Sequence, residues 1–422
     1  MRRTLPWALV ALGATLAGCG AKTGLYVPDS GVDAFVPVDA GPPPPPPPIC
    51  IEAPPEAGAV RVSLSLPASL RVVDVMFLID SSGSMRDEID AVRSRLRDSV
   101  VPGVRAIIPD AAFGVALFGE FPERPHAAEG ADVGPYQLRS PITLEVPRVE
   151  TALDMVPTWG NLDEPEAAIE GLFQVTTGEG LSPWIDAALG CPGGGTGGAC
   201  FRRDAFRVVM LVTDAPMHNG PPGIAPIEPY TFTPPPHTYE DAVDAVSRAD
   251  VTVLGLGASD PFRESPFPHL RALCRDTGSV DGDGNPLVFD IGSGGDRIGT
   301  EIVAALRRLA EGVPLDVDAS VEDRPGDGVD SLTVIRGIRP LSADPMDAIG
   351  GTTDTGFTDV RPGTLLTFEI TVDASELPPS TERREFPAQV VFRESGRTRI
   401  ESRDILVVVP GDDGSGCEEL DP

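Results

Sequence analysis

The sequence predicts a doubly wound α/β domain with a mainly parallel sheet, inserted in or followed by a small β-sandwich. Three observations carry this expectation. Residues 72–79 (Val-Val-Asp-Val-Met-Phe-Leu-Ile) are a near-continuous apolar run, as in a strand buried on both faces of a parallel sheet. From there to residue 311, strand-like and helix-like segments alternate, which is the order that crossover connections require. After residue 312 the helical period stops and only strand-like segments follow.

The elements run as follows. Residues 60–66 alternate and open the sandwich, and 72–79 form the first core strand. Residues 85–101 have helical spacing, with Ile89, Val92, Leu96 and Val100 along one side. Residues 113–118 are a second strand, and 164–175 a short helix with Pro165 in its first turn. Strand 206–212, helix 239–249, strand 251–257, helix 268–277, strand 287–291 and helix 298–311 complete the α/β part. Ligands of such sheets bind at the carboxyl ends of the strands. Segments 315–321, 331–338, 365–372, 386–393 and 403–409 are strand-like with turns between them. Together with 60–66 they read as one sandwich, with the α/β domain inserted between its first and second strands. The expected boundaries are 59–70 for the first sandwich strand, 71–311 for the α/β domain, 312–410 for the rest of the sandwich and 411–422 for an acidic tail.

Ahead of these lies a different kind of chain. Met1-Arg2-Arg3 is a short positive start, and residues 4–18 carry no charge. That apolar run is shorter than the roughly 20 residues of a membrane-spanning helix and fits the apolar region of a secretory signal. It ends Leu16-Ala17-Gly18-Cys19, which resembles the lipobox of bacterial lipoproteins. The resemblance implies that residues 1–19 are a leader and that Cys19 is acylated as the mature N-terminus. Gly20 rather than Asp follows, which by the same resemblance implies the outer membrane of a Gram-negative cell, with the lipid as the only anchor. Residues 20–58 are a Pro-rich tether, with an unbroken proline run at 42–48 that favours an extended polyproline chain.

Composition limits the partners. The 422 residues hold 64 acidic and 33 basic side chains, a formal charge of −31, and Lys22 is the single lysine. Phosphate neutralisation needs clustered Lys and Arg, so nucleic acid and anionic lipid surfaces are disfavoured. Hydrophobic residues still reach 41%, enough for packed cores. Of the six cysteines, Cys191 and Cys200 bracket a Gly-rich loop that a disulfide would constrain, and Cys50 and Cys417 could join the two ends of the folded part. Cys274 lies in an apolar pattern with Leu270 and Leu273 and reads as a buried free thiol.

The chemistry gathers in the loop after the first core strand, Asp80-Ser81-Ser82-Gly83-Ser84. One carboxylate and two hydroxyls at alternate positions can converge on one point, and all are hard oxygen donors suited to Mg²⁺, Mn²⁺ or Ca²⁺. This Asp-x-Ser-x-Ser string, between a buried strand and a helix, resembles the metal-ion-dependent adhesion site of the von Willebrand factor A domain. Thr213-Asp214-Ala215 matches that family's Thr-Asp-Ala/Gly, and residues 160–166 (Gly-Asn-Leu-Asp-Glu-Pro-Glu) resemble a segment of integrin β I-like domains. The resemblance covers about residues 71–311.

It implies that Asp80, Ser82, Ser84 and Glu166 ligate a central Mg²⁺ or Mn²⁺, with Asp214 acting directly or through water. It also implies two flanking Ca²⁺ sites. One draws on Asp87 and Glu88, which equally suit the first turn of a helix. The other draws on Asn161, Asp163, the Pro165 carbonyl, Glu166 and Glu120, the last also readable as a surface acid. Glu88 and Glu120 stand where the family has Asp. Seven carboxylates (Asp80, Asp87, Glu88, Glu120, Asp163, Glu166 and Asp214) in one cleft would repel one another without cations. The central ion keeps an open position for a carboxylate from a protein ligand.

Other signals are weaker. Residues 281–285 (Asp-Gly-Asp-Gly-Asn) resemble the start of a calcium loop, but Pro286 and Gly292 occupy its glycine and glutamate positions, so a turn is expected. His126, His218, His237 and His269 show no paired spacing and read as loop surface, with His218, after the Asp214 loop, also readable as rimming the metal site. The expectation is therefore a lipid-anchored cell-envelope protein, not an enzyme, that binds a protein ligand through a divalent metal. The alternatives are a structural envelope protein with a stabilising metal and, last, a metal-assisted hydrolase, which needs a general base for which no histidine is clearly placed.

Overall fold

The structure, a computed structural model, describes residues 48–127, 134–158, 162–326, 328–412 and 414–417. The leader with Cys19, the tether up to residue 47 and Asn161 lie outside the described residues. In chain order the strands and helices are β1 (Ile49–Glu52), β2 (Val60–Pro67), β3 (Val72–Asp80), α1 (Arg86–Arg95), α2 (Val101–Ile107), β4 (Asp110–Phe118), β5 (Gln137–Thr143), α3 (Val146–Asp154) and α4 (Ala168–Thr177). They continue as β6 (Phe206–Thr213), α5 (Tyr239–Ala249), β7 (Val251–Gly257), α6 (Phe267–Asp276), β8 (Val288–Asp290) and α7 (Ile298–Gly312). The last strands are β9 (Leu315–Asp323), β10 (Ile335–Asp344), β11 (Gly351–Thr352), β12 (Gly356–Val360), β13 (Leu365–Val372), β14 (Arg384–Glu394) and β15 (Thr398–Val409).

The α/β sheet has the order β5-β4-β3-β6-β7-β8, with β5 antiparallel and the other pairings parallel. The apolar run of β3 resolves into two faces, because successive side chains of a strand point to opposite sides. Val75, Phe77 and Ile79 pack in one core with Ile89 and Val92 of α1 and Ile302 and Leu306 of α7. Met76 and Leu78 pack in the other with Leu172 of α4, Val246 of α5 and Leu273 of α6. The fold is thus doubly wound, with helices on both faces. Helix 85–101 of the sequence reading is broken: a π turn at Leu96–Val100 separates α1 from α2, and the Val101 N–H bonds to the Leu96 carbonyl. Pro102 explains the break, since it offers no N–H to the regular ladder.

Two sheets form the sandwich, one ordered β1-β15-β14-β9-β12-β11 and the other β10-β13-β2. Between them the ring of Phe368 of β13 lies 5.2 Å, centroid to centroid, from both Phe357 of β12 and Phe392 of β14. The α/β body leaves the sandwich after β2 and returns at β9. Two strands therefore precede it, not one. The tether reading to residue 58 is corrected, because β1 pairs in parallel with β15. A Cys50–Cys417 disulfide ties this strand to the chain after β15. Cys191 and Cys200 are bonded, and Cys274 is a buried free thiol whose ionisation burial pushes up to about 12.

Three further expectations change. β5 and α3 were not foreseen. Residues 331–333 form a helical turn rather than strand, since Asp330 accepts the Leu332 N–H and holds the chain curled. α4 begins at Ala168, so Pro165 lies before the helix instead of in its first turn. No helix among the described residues is long and apolar enough to cross a membrane.

Candidate metal centre

β3 ends at Asp80, whose carboxylate is fully buried. The loop that follows is pinned to β4, since both the N–H and the hydroxyl of Ser81 donate to the Phe118 carbonyl, at 2.8 and 2.7 Å. Asp80 Oδ1 accepts the Ser82 N–H at 2.8 Å, and Oδ2 accepts the Thr213 hydroxyl at 2.7 Å. The Ser82 and Ser84 hydroxyls lie 3.0 Å apart, and Ser84 donates to Asp214 Oδ1 at 3.1 Å. Four of the five residues expected at the central ion are therefore joined in one hydrogen-bonded chain. Burial, and then the Asp214 charge, push the Asp80 carboxyl well up from the carboxylate range. Burial also pushes Asp214 up, against the Ser84 hydrogen bond. Buried carboxylates under such strain are those a cation would satisfy. The donors are all hard oxygens, which fits Mg²⁺ or Mn²⁺.

Ser84, Asp87, Glu88 and Asp214 line a polar cavity of about 200 Å³, together with Asp260, Arg263 and Gly294. Glu88 is buried, and its Oε1 accepts the Gly294 N–H at 2.9 Å while its Oε2 has no hydrogen-bond partner. Gly295 adopts φ +65°, and a Cβ there would stand 3.0 Å from Glu88 Cα, so the close approach needs glycine. Burial raises the Glu88 carboxyl too. Asp87 and Glu88 do lie in the first turn of α1, as the helix reading of these acids has it, but Glu88 also faces the cavity.

The seven carboxylates do not gather around one point. Glu120 and Asp163 belong to a second group, with His126 and His218, whose ligand atoms all lie within 4.8 Å of one another. His126 Nδ1 is 2.6 Å from Asp163 Oδ2, and His218 Nε2 is 3.2 Å from the same oxygen and 3.3 Å from Glu120 Oε2. Tyr230 donates its hydroxyl to Glu120 Oε1 at 2.6 Å. Burial pushes the Glu120 carboxyl up to about 8, against the pull of His218 and Tyr230. Burial acts the same way on Asp163, but hydrogen bonds from His218 and His126 outweigh it and hold that carboxyl low. Burial depresses His218, yet Asp163 and Glu120 together leave it raised.

Glu166 is buried on an extended segment before α4, where its N–H donates to Pro216 and its carbonyl accepts from His218. After burial and Glu120, its charge is a further cause of the raised Tyr230 phenol. Pro165 is buried beside it.

The surface reading of the histidines is overturned for three of four. His126, His218 and His269 are buried, and His237 is half-buried. His269 accepts the Met217 N–H at 3.0 Å, and His218 Nδ1 meets the Glu228 carbonyl at 2.8 Å. Glu120 as a plain surface acid is likewise overturned, since it is 1% exposed. At residues 281–285 the Asp281 carboxylate accepts the N–H groups of Asp283 and Asn285 and pairs with Arg308, so it is used up within a turn.

No protein family and no curated protein matches the chain by sequence. Solved structures do resemble it, and these neighbours are von Willebrand factor A domains or proteins similar to them in fold. A von Willebrand factor type A protein from Catenulispora acidiphila is 14% identical, covering 86% of this chain and 72% of that one, at a TM-score of 0.39. The pilus adhesin SpaC from Lactobacillus rhamnosus GG, in its open conformation, is 12% identical over 84% of this chain and 45% of that one, at a TM-score of 0.36. Proximal thread matrix protein 1 from the mussel byssus, with a zinc-occupied MIDAS motif, is 13% identical over 58% and 48%, at a TM-score of 0.33.

Proposed function

We propose that this chain is a lipid-anchored protein of the cell envelope that binds a protein ligand through a divalent metal held at Asp80, Ser82, Ser84 and Asp214. The observation that carries the reading is the hydrogen-bonded chain that joins these four residues at the ends of two adjacent parallel strands, two of which, Ser84 and Asp214, line one polar cavity. Ligands of doubly wound sheets bind at that end of the strands. When bound, the ion supplies an electrophilic position for a carboxylate of the partner. The protein's own part is to orient the donors: Thr213 and the Ser82 N–H fix the Asp80 carboxylate, and Asp214 fixes Ser84. Mg²⁺ or Mn²⁺ suits this set.

Anchoring rests on the leader that ends at Cys19, and the outer membrane of a Gram-negative cell rests on Gly20 after it. The Pro-rich tether then holds the folded part away from the bilayer. A binding role is favoured over a hydrolase because, among the described residues, no histidine contacts the Asp80 group, while His126 and His218 are engaged with Glu120 and Asp163. A purely structural metal is the second reading, supported by the burial of Glu120 and His218.

The test is a cross-linking pull-down from intact cells in Mg²⁺ and in chelator, with the Asp80→Ala and Ser84→Ala variants alongside. Capture in Mg²⁺ that is lost in chelator and in both variants supports the reading. Capture of the same partner regardless of metal or variant overturns it. Metal-dependent stability with no metal-dependent partner leaves the structural reading in its place.

A further inference from the structure

We propose that Glu120, His126, Asp163 and His218 form a second metal site, distinct from the Asp80 centre and selective for a borderline cation such as Zn²⁺ over Mg²⁺ or Ca²⁺. The family resemblance implies Ca²⁺ at this flank, and the residues present do not fit it. Ca²⁺ takes roughly six to eight oxygen donors. Here two of the four donors are imidazole nitrogens, and three of the four residues are buried. Two nitrogens and two carboxylate oxygens suit Zn²⁺, which binds them at about 2.0–2.2 Å in a tetrahedron.

The distances agree with such a site. Tetrahedral donors around Zn²⁺ lie about 3.3 Å apart, given those bond lengths. The contacts of His218 with Asp163 and Glu120 are 3.2 and 3.3 Å, and no pair of donor atoms exceeds 4.8 Å. The His126–Asp163 contact, at 2.6 Å, has to open, and any pair near the 4.8 Å limit has to close.

The chemistry of the surrounding bonds points the same way. His218 Nδ1 faces the Glu228 carbonyl, which only accepts, so Nδ1 carries a hydrogen. A metal binds the neutral ring, in which Nε2 turns its lone pair toward both carboxylates, so the ion takes the place of the proton that otherwise joins them. Glu120 is positioned likewise. Its Oε1 accepts the Tyr230 hydroxyl and the Phe121 N–H, which turns Oε2 into the group. Glu120 Oε2 is buried without a hydrogen-bond partner, as is Asp163 Oδ1. Such orphaned acceptors are costly in a protein interior unless a charge meets them. Around them Phe121 packs edge to face on Trp184 and Tyr230, Trp184 packs edge to face on Phe232, and Tyr230 is tilted against Phe232.

Four protein donors leave no open position, which is the pattern of structural zinc rather than catalytic zinc. The donors come from three places: the chain after β4, the segment before α4 and the loop after β6. A metal here staples the loops at the carboxyl end of the sheet, the same end that holds Asp80. The proposal does not depend on what the Asp80 centre binds.

The test uses the full chain stripped with chelator and then held in excess Mg²⁺. Zn²⁺ is titrated by calorimetry, and Co²⁺ by visible absorption. One equivalent of Zn²⁺ is expected, together with the intense visible bands of four-coordinate Co²⁺. His126→Ala and His218→Ala each lower Zn²⁺ affinity by about 100-fold or more, and Tyr230→Phe by about 10- to 100-fold, the usual range for a group that orients a metal ligand. Asp80→Ala retains the site. No Zn²⁺ uptake by the wild type in excess Mg²⁺, or only weak six-coordinate Co²⁺ bands, overturns the proposal whatever the variants do. Uptake lost in Asp80→Ala but kept in the histidine variants assigns the zinc to the other centre and equally overturns it.

Discussion

Thr213 Oγ1 donates to Asp80 Oδ2 across 2.7 Å and so joins the ends of β6 and β3 through a buried carboxylate. With the Ser82 N–H on Oδ1, each oxygen of Asp80 has one partner. An ionised carboxylate offers about four lone-pair positions, so one on each oxygen remains for a cation. The protein thus aims this carboxylate with uncharged donors and leaves its charge uncompensated.

Thr213→Val keeps the shape of the side chain and removes the hydroxyl. Asp80 Oδ2 and the Ala215 N–H, which Thr213 also accepts at 3.1 Å, then both lose a partner inside the fold. Urea denaturation in chelator is expected to register a loss of about 1–3 kcal/mol. Calorimetry is expected to find Mg²⁺ affinity lower by about 10- to 100-fold, because the carboxylate is no longer held in place. Unchanged affinity would mean that Thr213 serves only the strand ends.

The central group was legible because its donors are near neighbours in sequence or end a core strand: Asp80, Ser82 and Ser84 share one loop, and Asp214 follows a run that is plainly β6. His126 and His218 were not legible. They sit on separate loops, and only the packing of both loops against Asp163 brings the two rings to a centroid distance of 4.7 Å. Residues 221–236, which are rich in proline and supply Tyr230, carried no pattern either, although the Tyr230 hydroxyl orients Glu120. In the fold, β3 and β6 were read from their apolar runs, which parallel burial on two faces produces. β5 escaped because it is an antiparallel edge strand whose residues are mostly half-buried, with Pro141 among them. β1 escaped because it has only four residues and is recruited by a parallel pairing with β15, at the other end of the chain.

A second buried carboxylate lies at the opposite ends of the same strands. Asp74 is fully buried and receives both the backbone N–H and the Nε of Arg202, each at 2.6 Å, while Arg202 also reaches Asp110 at 2.7 Å. Arg202→Met leaves the Asp74 charge without its counter-charge, at a cost of about 3–5 kcal/mol in urea denaturation near neutral pH. Burial already raises the Asp74 carboxyl against the pull of Arg202. Removing that pull raises it further, so the variant recovers stability as pH falls and Asp74 takes a proton. Mg²⁺ binding is expected to stay unchanged in the folded variant, which separates this site from the Asp80 centre. A deficit that does not vary with pH would show that Asp74 is not ionised in the native protein.

The pair of His237 and Glu170 gives a pH dependence of the opposite kind of partner. The His237 ring lies flat on Phe173, with centroids 3.6 Å apart, and its Nδ1 is 3.0 and 3.1 Å from the two oxygens of the buried Glu170. Burial depresses the imidazole, but the Glu170 hydrogen bond and charge outweigh it, with smaller help from Asp241 and Glu179, and leave it raised above its ordinary 6.5. A histidine raised on folding binds its proton more tightly in the native state than in the unfolded chain. Its contribution is therefore fully present below about 6.5 and is lost as pH rises through the higher native value. His237→Gln keeps a polar partner for Glu170 but cannot carry the charge. Urea denaturation of both proteins at a series of pH values is expected to find the largest gap on the acid side and a narrowing gap as pH rises. A gap of constant size would mean that His237 stays neutral throughout and holds Glu170 by an uncharged hydrogen bond alone.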